Sequence, residues 1–167
     1  MSDWANFYVI VGSSGGALIG LQFVVITLIA DRRQRTQAGA LSAFGTPTVV
    51  HLTGALVVSA IMSVPWPSPG GLSVALGTCG AYGLAYSAIV IRRARSQTDY
   101  EPVWEDWLWY AALPCAVYAA LAVTAFFLPT HARIGSFVTG AVALSLLMIG
   151  IHNAWDTVTH IVVSASE

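Results

Sequence analysis

The chain has 167 residues, of which 56% are hydrophobic and only 9% charged, with a mean hydropathy of +0.71. A water-soluble domain carries about 25% charged residues to cover its surface, so the deficit excludes a soluble globular protein and makes lipid the expected solvent. A net charge of −1 excludes the basic surface that a nucleic-acid partner would require.

A helix needs about 20 apolar residues to cross the hydrocarbon core, and five stretches are long enough. The first spans about 7–30 and stops at Asp31-Arg32-Arg33-Gln34-Arg35. Its N-terminus lacks a basic region and its apolar run is too long for a signal peptide, so no removable leader is expected. The second spans about 40–64 and ends at the Pro/Gly-rich turn Pro65–Gly71, which cannot continue a helix. The third spans about 72–91 and stops at Arg92-Arg93-Ala94-Arg95. The fourth spans about 104–128, and the acids Asp99, Glu101, Glu105 and Asp106 around its start complement the helix dipole. The fifth spans about 134–163. The expected fold is an all-α, polytopic transmembrane bundle of five helices forming one domain, with no room for an extramembrane domain.

Lysine is absent and arginine supplies all fixed positive charge; six of the seven arginines fall after the first and third spans. With five spans those two loops share a side. The positive-inside rule therefore places them and the C-terminus in the cytoplasm and the N-terminus outside, Arg133 being the exception. Aromatic residues mark the expected interfaces: Trp4, Phe7, Tyr8 and Trp66 outside, and Tyr100, Trp104, Trp107, Trp109 and Tyr110 inside. Cys79 and Cys115 lie in apolar runs and read as small hydrophobes.

Gly12, Gly16 and Gly20 recur every fourth residue and cut a flat groove for close helix packing, within the chain or between copies. Ala55, Ser59 and Ser63 repeat the small-residue spacing in the second span. His152, Asp156 and His160 recur every fourth residue in the fifth span and share one helix face, with Asn153 beside them. At about 1.5 Å per residue, His51, His152 and Gln22 sit about 17, 18 and 14 Å from the inner ends of their spans, and Asp156 about 12 Å. Shared depth makes them potential partners for one another. A carboxylate inside a membrane is costly and points to function.

Three chemistries fit such a cluster. It can be a hydrogen-bond network that holds the bundle together. It can line a path for a cation or protons, since imidazole and carboxylate groups relay protons near neutral pH. It can bind a haem or metal through His51 and His152, because facing imidazoles at one depth suit a bis-histidine haem. No P-loop, dinucleotide fingerprint, nucleophile elbow or HExxH motif is present, so catalysis is not expected. A chain this small has little room to enclose a path alone. The expected function is accordingly a homo-oligomeric ion channel or transporter with no resident cofactor. The alternatives are a haem- or metal-binding redox protein and a non-conducting membrane adaptor.

The stretch Trp4–Gly12, continuing through Gly16-Ala17-Leu18-Ile19-Gly20-Leu21-Gln22-Phe23-Val24, and the later Asn153-Ala154-Trp155 resemble a group of small bacterial multi-span membrane proteins that open on an FYxxVG…ALxGLxFV helix. The resemblance covers about a quarter of the chain and implies the bacterial inner membrane as location. It brings no activity.

Overall fold

The computed structural model describes residues 4–32, 46–96 and 103–163. Every element in it is helical: α1 (Ala5–Arg32), α2 (Thr46–Ser63), α3 (Pro69–Ser96), α4 (Trp104–Phe127) and α5 (Ala132–Val163). All five are long and apolar enough to cross a membrane. Three of them extend past the expected ends. α1 runs through Asp31 to Arg32, α3 starts at Pro69 and carries its arginines to Arg95 on the helix, and α5 begins two residues earlier. Helix hydrogen bonding is local and so continues beyond the apolar run, and Pro69 can open α3 because the first turn needs no hydrogen bond from its nitrogen. Residues 40–45 of the expected second span, Arg33 and Arg35, and Asp99, Glu101 and Pro102 lie outside the described residues.

Apolar side chains point both ways, as lipid solvent allows. Val9, Ile10, Phe23, Val74, Phe126, Ile134 and Met148 lie on the outside. A core of Leu52, Val58, Leu72, Leu76, Leu121, Leu146 and neighbours fills the inside. Hydrocarbon offers no hydrogen bonds, so helix hydroxyls must find partners within the protein. Ser59, Ser63, Thr78, Ser87, Ser136 and Thr157 each donate to the carbonyl four residues back. At helix ends the caps come from side chains. Trp66 Nε1–H donates to the Ile61 carbonyl over 2.7 Å, and the Val103 N–H donates to Asp106 Oδ2 over 3.0 Å. Asp106 thus serves the start of α4 as an N-terminal acid should.

Helix pairs approach most closely at small residues. An added Cβ on Gly12 would lie 3.1 Å from Ser59 Cβ, and one on Gly15 would lie 3.1 Å from the Leu52 carbonyl oxygen. Hence α1 lies against α2 through Gly12 and Gly15, and Gly16 meets only Leu56 at 3.4 Å. Gly20 meets nothing within 4 Å. On α3, an added Cβ on Gly80 would lie 2.8 Å from the Ala122 backbone nitrogen, and Gly83 lies under the ring of Tyr118. On α5, a Cβ at Gly150 would reach Leu52 Cγ at 2.7 Å. Gln22 leaves the core and lines a groove of about 240 Å³ between α1, α2 and α5, together with Leu18, Leu52, Trp155 and Val158. Cys79 and Cys115 are free and half-buried.

These spacings predict a contrast between two single substitutions. Gly83→Ala drives a methyl into the Tyr118 ring and should lower stability by about 1–3 kcal/mol. Gly20→Ala has open space and should leave stability unchanged or raise it slightly through helix propensity. Thermal unfolding of both variants in the same detergent checks the pair.

A polar line inside the bundle

The site is assembled by α2, α4 and α5. The residue that shapes it most is Pro114. Proline in a helix removes an N–H and clashes with the carbonyl four residues earlier, here that of Tyr110. α4 accommodates this with a π-helical turn over Leu108–Ala112, in which the Leu113 N–H bonds to the Leu108 carbonyl. Such a turn carries one residue more than an α turn and frequently marks a functional site. Because of it, two adjacent side chains, Trp109 and Tyr110, both reach α5.

Trp109 stacks flat on His152, with ring centroids 3.7 Å apart and an interplanar angle of 7°. The Tyr110 hydroxyl donates to Asp156 Oδ2 over 3.1 Å. His152 and Asp156 lie one turn apart on α5, so the two contacts form a double clasp between the helices. Asn153, next to His152, is 0% exposed, and both polar atoms of its amide lack a partner; so does the buried His152 Nδ1. An unpaired buried polar group costs about 1–3 kcal/mol, and each such group in a native protein calls for an explanation.

Further along α4, Tyr118 makes the second polar contact. Its hydroxyl lies 3.3 Å from His51 Nδ1, and its ring fills the space that Gly54 and Gly83 leave free. His51 is 1% exposed and has Tyr86 of α3 edge-on at 6.4 Å between centroids. Thr48 is buried one turn before it. Towards the opposite end of α5, Thr139 is fully buried with an unpartnered hydroxyl, and the Tyr8 hydroxyl donates to the Ser136 carbonyl over 3.4 Å.

The residues expected to form one cluster therefore divide among three neighbours. His51 goes to Tyr118, His152 to Trp109, and Gln22 to the groove beside α1. Asp156 pairs with Tyr110 rather than with a histidine. His160 continues the α5 face, but its side chain lies outside the described residues. Among the described residues no group of three histidine, cysteine or acidic side chains is arranged to hold a metal ion. The sequence reading missed Trp109, Tyr110 and Tyr118 as site residues. Pro114, in the middle of an apolar span, was the signal that could have found the first two, since it predicts a local break just before itself. Tyr8, expected at the interface, is instead 2% exposed in the core.

No protein-family model, curated protein or solved structure matches the chain. The fold and the polar line define its class without them: a multi-pass helical membrane protein with ionisable side chains inside the bundle.

The orphaned amide yields a prediction. Asn153→Leu replaces an unpaired polar group by an apolar one of similar size, and should raise thermal stability in detergent, by an amount on the order of 1 kcal/mol. Tyr118→Phe should do the reverse, since it removes the hydroxyl facing His51 and leaves a buried imidazole nitrogen unpaired. Parallel melting curves of the two variants read both signs.

Proposed function

We propose that this protein conducts protons across the bacterial inner membrane. The observation that carries the reading is a pair of hydroxyl contacts inside the bundle, Tyr110 to Asp156 and Tyr118 to His51. Each joins a phenol to a side chain of a kind that can carry a proton, a carboxylate in one case and an imidazole in the other. Between and beyond them lie polar atoms without protein partners, on Asn153, His152 and Thr139. Those are hydrogen-bonding positions available to water, which relays protons.

The packing favours protons over a larger cation. Leu52, Leu121 and Leu146 are 0% exposed and belong with Tyr118 to one packed core, an interior among the described residues that suits a proton better than a hydrated ion. A proton needs only a chain of hydrogen bonds. The arginine-bearing ends of α1 and α3 face the cytoplasm, with the N-terminus outside, as the clustering of six arginines implies. Arg95 over the Trp107 ring at 6.0 Å brings the end of α3 and the start of α4 to that same face. Copies associate through the outward side of α1, where Ser13, Ala17 and Gly20 form a small-residue surface suited to close helix packing.

Proteoliposomes holding a pH-sensitive dye test the reading. A potassium-diffusion potential should drive acidification with wild-type protein, and Asp156→Asn should abolish it while leaving the thermal stability close to wild type. Equal rates for wild type, variant and empty liposomes would remove the proposal. Cysteines introduced at Ser68 and Ser96 check the orientation: a membrane-impermeant maleimide added to intact cells should label the first and spare the second.

A further inference from the structure

We infer that Trp109 is a positioning residue that governs proton access to His152; the inference rests on the proton-conducting reading above. Three observations meet at this position. The indole lies flat against one face of the imidazole at 3.7 Å, so that face is closed to water. The opposite requirement stands on the ring edge, where Nδ1 is buried with no partner. The backbone that carries Trp109 is the π-helical turn before Pro114, a conformation that costs hydrogen-bond quality and is retained where it aims a side chain. A regular α turn would rotate Trp109 or Tyr110 off α5 and break one half of the clasp.

The stack responds to charge. An imidazolium gains attraction from the negative face of an indole, whereas a neutral ring keeps only ordinary stacking. An imidazolium at His152 is thus held more tightly against Trp109 than the neutral ring is, and release of its proton from the ring edge to an acceptor loosens the contact again. Among the described residues, the ionisable groups near the stack are Asp156 one turn along α5, Tyr110 adjacent on α4 and bonded to that carboxylate, Asp106 one turn before Tyr110, and Arg95 of α3 over the nearby Trp107. On α2 the histidine at comparable depth, His51, is engaged by Tyr118. Asp156, one turn along the same face of α5, has its Oδ2 held by Tyr110, and Trp109 covers one face of the imidazole beside it.

Fluorescence and flux together test the assignment. The emission of Trp109 is the difference between wild type and Trp109→Phe in detergent. It should fall in a single transition as pH is lowered, and the transition should vanish in His152→Gln. In proteoliposomes Trp109→Ala should raise proton flux several-fold and flatten its pH dependence, and Trp109→Phe, which keeps a flat ring, should restore both. Emission that ignores pH or is indifferent to His152→Gln overturns the inference. So does Trp109→Ala flux with the wild-type rate and pH profile, which would make Trp109 packing alone. Absence of flux from wild type itself would fail the proton-conducting reading, and the emission titration would still decide whether His152 takes up a proton against the indole.

Discussion

Helices α2, α3 and α4 meet on the ring of Tyr118. The ring is accommodated because Gly54 and Gly83 have no side chains, and its hydroxyl is occupied because His51 faces it. In lipid the apolar effect that drives soluble cores together is absent between helices, so packing and internal hydrogen bonds must hold the bundle. Tyr118 supplies both at once. Removing the glycines would displace the ring, and displacing the ring would leave a fully enclosed imidazole with an unmet nitrogen. The remaining polar residues of α5 depend on the same arrangement, since α4 carries Tyr118 at one level and the clasp of Trp109 and Tyr110 at another.

Two kinds of polar residue coexist in this interior. Most serines and threonines bond back to their own helix and so neither join helices nor offer a free atom, whereas the Thr139 hydroxyl is left unmatched. The second kind, His51, His152, Asn153 and Asp156, reaches across or is left unmatched. A fold selected only for stability would replace Asn153 with leucine, because an orphaned amide weakens the core. Its presence beside His152 and close to Asp156 argues that the C-terminal half of α5 is shaped for something other than packing.

The five spans were legible because the hydrophobic length of a helix is set by the bilayer and can be counted. Their ends were less so, since the arginines of α3 ride on the helix and not after it. Depth arithmetic put His51 and His152 at similar levels but could not assign neighbours, because rotation of each helix about its axis depends on packing that no single span encodes. Aromatic residues misled for a related reason. Tyrosine and tryptophan suit the interface and the polar interior alike, and only the π turn before Pro114 distinguishes Trp109 and Tyr110 from the exposed Trp104. The glycine pattern had the right helix, with Gly12 against Ser59 of α2, but the second close approach in that contact is made by Gly15, and Gly20 faces outwards.

Whether the protein carries protons, as proposed, is the central question, and a measurement of ion selectivity answers it most directly. In planar bilayers containing the purified protein, the reversal potential should follow the pH gradient at the Nernst slope for protons and stay unchanged when sodium is exchanged for potassium. A reversal potential that tracks the metal-ion gradient, or a bilayer with no protein-dependent current at any pH, would contradict the account.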